Sequence, residues 1–310
     1  MIIVQDILQA KRDIQDVIHD TPVIHSTQLS EIAGNELFFK AEHLQKTGSF
    51  KIRGATNKVK KMAREKAAYL TAASSGNHGQ AVAYIAGRLG IPVTIVVPED
   101  VNPSKLKAIE AYGGKIEKCG TTSEERIKRA KELAAEHQGA FIPPYNDPLI
   151  MAGQGTIGLE ILAQKPNVDV IVVPIGGGGL ISGILTAVKQ SKPNVKVIGV
   201  EPETANDTYL SLEKGEIVEI PLSTTIADGL RTTKPGYMTF PIIQQYADDI
   251  VLVSDEEIRE AQLLVLERMK QLIEPSSAST VAAALQRKLG VEGKNVVFVL
   301  SGGNVDIENL

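Results

Sequence analysis

Two features of this 310-residue chain could do chemistry together: a lysine on a loop, and glycines placed where a strand gives way to a helix. Gly176, Gly177, Gly178 and Gly179 follow the apolar run Asp169 to Pro174 and precede the helical run Leu180 to Val188. Positions without side chains at the N-terminus of a helix form a backbone cradle for phosphate. A flexible turn needs one or two glycines, so four in a row ask for close approach by something else. A dinucleotide is the obvious competitor, because Glu201 falls at the end of the next strand, where a ribose-binding acid would sit. The spacing fails that test: glycine is required at the first, third and sixth positions, and the sixth from Gly176 is Ile181. A Walker loop fails too, since no Lys-Ser or Lys-Thr follows the glycines. A simpler phosphate ester is favoured. Lys51 lies in the loop Thr47 to Gly54, ahead of a helical stretch. Most lysines are solvated surface charges. This one is set apart by its company: Ser74 to Gln80 (SSGNHGQ) and Ser301 to Asn304 (SGGN) are two further polar loops, each closing an apolar run.

Those loops need strands and helices to hold them. Short apolar runs at Ala68 to Ala73, Val93 to Val97, Lys115 to Lys118, Val168 to Pro174, Val195 to Val200 and Asn295 to Leu300 predict strands. Helical spacing covers Ala81 to Leu89, Pro103 to Tyr112, Glu124 to His137, Leu180 to Gln190 and Asp255 to Leu272. The alternation predicts an α/β protein with mostly parallel sheets, and ligands then bind at the carboxyl ends of the strands. At this length two lobes are expected. The segment Phe141 to Asp147, with Pro143, Pro144 and Asn146, reads as a crossing between them.

Taken together, SFKIRGA (49–55), SSGNHGQA (74–81), VVPIGGGGL (172–180), TIADG (225–229), LIEPS (272–276) and LSGGN (300–304) resemble the threonine dehydratase and serine racemase family. The motifs occur in order over nearly the whole chain. The resemblance implies a fold-type II pyridoxal-phosphate enzyme, tryptophan synthase β-like, with two open, mostly parallel sheets. It places a large cofactor-binding domain at 1–65 and 147–310 and a small inserted domain at 66–146. Lys51 would hold pyridoxal 5'-phosphate as a Schiff base and serve as the proton-abstracting base. Phe50 would flank the ring, Asn77 would bond its hydroxyl, Gly176 to Gly179 would take the phosphate, and Ser301 would face the pyridine nitrogen. The turn formed by Ser74, Ser75, Gly76, Asn77 and His78 would bind the substrate carboxylate. The implied reaction is β-elimination of L-threonine and L-serine to a 2-oxo acid and ammonia.

Two features lean toward the racemase members. Ser75 stands where many dehydratases of the family carry alanine, and its hydroxyl would be the second base that racemisation requires; its bland alternative is a helix cap. Glu201, the carbonyl of Ala205 and Asp207 match the family's divalent-cation loop, whose hard oxygens suit Mg²⁺, Mn²⁺ or Ca²⁺. Serine racemase with accompanying dehydratase activity, or a hydroxyaspartate dehydratase, therefore stands as the alternative.

Composition bounds the partners. The formal net charge of -4 comes from mixed acids and bases without a basic block, which argues against nucleic acid or an anionic membrane surface. No apolar run is long enough to span a bilayer and no secretory leader is evident, so a cytoplasmic protein acting on small hydroxy amino acids is expected. A homodimer is expected from the family alone, as is the absence of an appended regulatory domain. Cys119 is the single cysteine and has no histidine nearby in sequence, so it reads as structural. Arg126 corresponds to an arginine near the substrate in racemase-like members but fits a helix-surface salt bridge as well. Glu274 lies near the site in relatives, yet its context also fits the last turn of a helix before Pro275. His19, His25, His43 and His137 form no ligand pattern.

Overall fold

The computed structural model describes residues 1–101 and 103–307. The strands are β1 (Val23–His25), β2 (Glu36–Lys40), β3 (Leu70–Ala73), β4 (Val93–Val97), β5 (Lys115–Lys118), β6 (Ala140–Phe141), β7 (Val170–Pro174), β8 (Lys196–Pro202), β9 (Asp249–Val253) and β10 (Asn295–Val299). They form two sheets. One has six strands in the order β1-β2-β10-β7-β8-β9, parallel except for the β1–β2 pair; the other has the parallel order β5-β4-β3-β6. The second sheet is built entirely from residues 70–141, between segments that supply the first. Strands β4 and β7 are buried at every position, as expected of parallel strands covered on both faces.

The helices are α1 (Val4–Ile14), α2 (Thr27–Ala33), α3 (Lys51–Arg64), α4 (Asn77–Leu89), α5 (Pro103–Ala111), α6 (Ser123–Glu136), α7 (Pro148–Gln164), α8 (Gly179–Ser191), α9 (Asp207–Lys214), α10 (Phe240–Tyr246), α11 (Asp255–Met269) and α12 (Pro275–Leu285). Their starts are written locally. Thr122 and Ser254 cap α6 and α11 in capping boxes with Glu125 and Glu257, and Asp147 caps α7 ahead of Pro148. Helix α11 stops at Met269, short of the predicted Leu272, because Lys270 turns left-handed and its N–H returns to the Leu266 carbonyl at 3.1 Å. Among the described residues no helix is long and apolar enough to cross a membrane.

Two pieces of packing fix the site. Helices α7 and α8 touch backbone to backbone: a Cβ added at Gly183 would clash with the Met151 carbonyl, and one at Gly155 would stand 2.8 Å from the Gly183 carbonyl. Only glycine permits that approach, and α8 is the helix whose N-terminus carries the glycine loop. Helix α3, which begins at Lys51, is anchored by Arg53. Its fully buried guanidinium donates to Glu42 at 2.8 and 2.9 Å and to Glu160 at 2.6 and 2.8 Å, while buried Lys40 donates to Glu160 at 2.6 Å. The charges are paired and their lone pairs are filled, which is the condition for burying them.

Candidate active site

A cleft between the two sheets is lined by Lys51, the Ser74 to His78 turn, the four glycines, Glu274 and Ser301. Every predicted cofactor and substrate residue lines it; Glu201, Ala205 and Asp207 lie outside its lining. The cavity holds about 300 Å³.

Lys51 opens α3 after an irregular turn in which Thr47 and Gly48 have φ of 60° and 71°. Ser49 bridges to Gly302, and the Phe50 N–H donates to the Ser301 carbonyl at 3.0 Å, so the lysine loop and the SGGN loop are laced together. Nζ of Lys51 donates to the Pro144 carbonyl at 2.9 Å. Desolvation pulls this amine down to a pKa of about 8, against the opposing charge of Glu274. A large share of it is therefore the neutral base near pH 8.

The turn after β3 leads straight into α4. The Gly76 N–H bonds Ser74 Oγ at 3.3 Å, while the Ser75 hydroxyl bonds nothing among the described residues. Asn77 is held firmly: its Nδ2 donates to both Glu274 oxygens at 2.9 and 3.0 Å, and its Oδ1 accepts from Asn304 Nδ2 at 2.8 Å. His78 sits deeper. Its Nε2 lies 2.9 Å from the Ile142 carbonyl, which can only accept, so that nitrogen carries the hydrogen. Burial and the Lys51 charge press its pKa down to about 3, and the ring is neutral. Its imidazole thus fastens the turn to the chain beyond β6.

Between β7 and α8 the glycine loop turns at Gly178, whose φ is 88°. A Cβ on Gly177 would meet the Tyr145 ring, and one on Gly178 would lie 2.7 Å from Thr239 Oγ1. The Thr239 hydroxyl donates to the Gly177 carbonyl at 2.8 Å. No N–H of Gly176 to Gly179 donates to protein among the described residues. These donors, joined to the start of a helix of 13 residues, could hold an anion.

Across the cleft, Ser301 Oγ lies 3.1 Å from Ser277 Oγ. Ser277 spends its proton on the Gly302 carbonyl at 2.7 Å and accepts the Gly302 N–H at 2.8 Å, which leaves Ser301 as the donor of the pair. Glu274 stands at the N-cap position of α12, with Pro275 in the first turn, and does not end a preceding helix as its context had allowed. Proline belongs there because its missing N–H is one the helix leaves unpaired anyway.

The acidic loop lies behind the glycine loop. Glu201 is fully buried and accepts the Thr208 and Tyr209 N–H groups at 3.0 and 2.8 Å, so it caps α9 and is no ribose ligand. Asp207, also buried, accepts from Thr232 Oγ1 at 3.2 and 3.4 Å. Burial raises both carboxyls, and Asp207 raises Glu201 further; no Lys or Arg bonds either among the described residues.

Among the residues that escaped the sequence reading are Tyr145, the Pro144 carbonyl and Gln154. The first two lie in the segment read only as a crossing. Gln154 lies within α7, where its Oε1 accepts the Gly54 N–H at 3.0 Å beneath the lysine. Arg126 lines the cleft and makes no helix-surface salt bridge among the described residues; its guanidinium donates to the Thr121 carbonyl and to Ser123 Oγ, each at 3.1 Å.

This fold and this cleft are those of an α/β protein with room for a phosphate-bearing group beside a lysine. The chain belongs to the pyridoxal-phosphate dependent enzyme family, whose model matches residues 14–302. It is 45% identical over 311 residues to the serine racemase of Dictyostelium discoideum, covering 99% of this chain and 96% of that protein. It is 44% identical over 308 residues to the L-threonine ammonia-lyase of Thermotoga maritima, covering 99% of this chain and 77% of that one. Maize serine racemase superposes with a TM-score of 0.96 at 38% identity, over 99% of this chain and 95% of the other. The residues fit the family's cofactor: among the described residues the glycine N–H groups meet no protein acceptor and can take a phosphate, and the Lys51 amine is readily neutral.

Proposed function

We propose that this protein is a pyridoxal-phosphate-dependent ammonia-lyase that dehydrates and deaminates L-threonine and L-serine to a 2-oxo acid and ammonia. The observation that carries the reading is the desolvated Lys51 amine in one cleft with a glycine loop whose N–H groups are unspent. Bound there, the cofactor supplies an electron sink that stabilises negative charge at the α-carbon. Lys51 holds its base near working pH and takes the α-proton at Nζ. Gly176 to Gly179 hold the phosphate, Phe50 flanks the ring, Asn77 faces its hydroxyl, and the neutral hydroxyl of Ser301 faces its nitrogen. The substrate carboxylate binds at the start of α4, where the turn from Ser74 through Gly76 and His78 offers backbone N–H groups and hydroxyls.

Serine racemisation is the second reading, and the uncommitted Ser75 hydroxyl favours it. With Lys51 on one face of the α-carbon, Ser75 returns a proton from the other. Two buried carboxyls with no basic partner among the described residues also support a divalent cation, Mg²⁺, Mn²⁺ or Ca²⁺, held by Glu201, Asp207 and the Ala205 carbonyl as a structural pin for the loop behind the phosphate cradle. The protein works as a cytoplasmic homodimer in this reading.

The test is visible absorbance of the purified protein with and without L-threonine, L-serine and D-serine, with keto-acid and enantiomer assays on the same samples. A violet-edge band that moves with substrate, together with 2-oxobutanoate from threonine, supports the lyase. Serine that mainly changes hand makes the racemase the better description, and Ser75→Ala should then abolish racemisation while sparing elimination. A protein that takes up no cofactor sinks both readings.

A further inference from the structure

We propose that Tyr145 is the catalytic acid that gives a proton to the departing β-hydroxyl of the substrate. The inference rests on the lyase reading above and names a group that reading leaves unassigned. The Tyr145 ring lies across Gly177, and its Cβ stands 2.8 Å from where a Cβ on Gly179 would be. One residue earlier, the Pro144 carbonyl accepts Lys51 Nζ at 2.9 Å. Tyr145 therefore sits on the wall that joins the amine reaching the α-carbon to the loop receiving the phosphate, and a substrate β-carbon is one bond from that α-carbon. The side chain lines the cleft. Its hydroxyl has no hydrogen-bond partner among the described residues and is not fully enclosed.

The other polar groups in the lining are mostly committed. Asn77 is spent on Glu274 and Asn304, neutral His78 on Ile142, Ser301 on Ser277 and Thr232 on Asp207. Ser75 remains, but an aliphatic hydroxyl is a far weaker acid than a phenol, even one that burial and the Asp207 charge raise above its ordinary range. The step balances. Lys51 takes the α-proton, and the C–H pair becomes the Cα–Cβ double bond. The Cβ–O bond breaks with its pair on oxygen, which takes the phenol proton and leaves as water. The phenolate then recovers a proton from the lysine through that water, and both groups are reset.

Tyr145→Phe keeps the ring on Gly177 and removes only the hydroxyl. With holoenzyme, 2-oxobutanoate formation from L-threonine should fall about 100-fold, the usual worth of a placed general acid. Pyruvate formation from β-chloro-L-alanine should stay within about twofold of wild type, because chloride leaves without a proton. An equal fall on both substrates, or no fall on threonine, overturns the proposal; the latter leaves the phosphate as the donor. A binding measurement reads the contact without turnover. α-Methyl-L-serine and 2-aminoisobutyrate both lack an α-proton and differ by the hydroxyl. Calorimetry should show wild type preferring the former by about 3- to 10-fold, the worth of one hydrogen bond, and Tyr145→Phe losing that preference. A preference that survives the substitution overturns the contact. Wild-type holoenzyme that releases a keto acid from neither substrate overturns the lyase reading itself, while the binding pair still decides the hydroxyl contact.

Discussion

In the proposed reading Lys51 meets two opposed demands: it must be neutral enough to attack or take a proton, yet sit where a carboxylate helps hold its charge. Desolvation wins and leaves the pKa at about 8, while Glu274 pulls upward. An ordinary lysine near 10.4 would be only about 0.4% neutral at pH 8, against roughly half for this one. Covalent capture of the cofactor aldehyde needs the neutral amine. Its rate in cofactor-free protein should therefore rise with pH through a midpoint near 8, read as growth of the visible band after mixing. Glu274→Gln removes the charge that favours the ammonium, so its midpoint should move to lower pH. A midpoint near the ordinary lysine value in wild type would show that the amine is solvated. Asn77 adds a check on the same carboxylate, because its amide spans both oxygens and joins the start of α4 to the start of α12.

The elements that carry these side chains are held by close contacts a small change can break. Gly183→Ala drives a methyl into the Met151 carbonyl, so α8 must move away from α7. The expected cost is about 1–3 kcal/mol, seen as a lower denaturant midpoint, with weaker cofactor affinity because α8 carries the glycine loop. Arg53→Leu leaves Glu42, fully buried, with only the Thr21 hydroxyl at 2.5 Å among the described residues. An uncompensated buried charge costs about 3–5 kcal/mol, so this variant should unfold at clearly lower denaturant than Gly183→Ala. A loss below about 1 kcal/mol would mean that water reaches the pair. These elements also show what was legible in the sequence. Strands β4 and β7 and helices α4, α6 and α8 announce themselves by apolar runs or by helical period. Helix α7 does not: it is buried from Ile150 to Gly158 without a break, so no polar face alternates with an apolar one. With α7 unread, Gln154 had no element to stand on. Tyr145 was missed for a different reason, since its partner is a glycine backbone at Gly177, which leaves no pairing signal in the chain. The loops that line the cleft were legible because glycine, asparagine and lysine at strand ends stand out from the apolar pattern of the core.

On the scale of the whole molecule, the cleft is a joint between two sheets, closed by contacts from both. Lys51, the glycine loop, Glu274 and Ser301 belong to segments around the six-stranded sheet, and Ser74 to His78 follow β3 of the four-stranded one. A ligand gripped by both sides stabilises the folded state by mass action, about 2.7 kcal/mol at one hundred times its dissociation constant. Pyridoxal 5'-phosphate should therefore raise the unfolding temperature of cofactor-free protein, and pyridoxal at equal concentration should raise it much less, because the N–H groups of Gly176 to Gly179 then lack their anion. Lys51→Ala separates the two grips: it should lose the covalent share of the stabilisation and still distinguish the phosphate ester from the free alcohol. Thermal unfolding of both proteins with both ligands decides the matter. Equal shifts from pyridoxal and its phosphate would mean that the glycine loop is only a turn; a difference that persists without the lysine would place phosphate recognition in the backbone of residues 176–179.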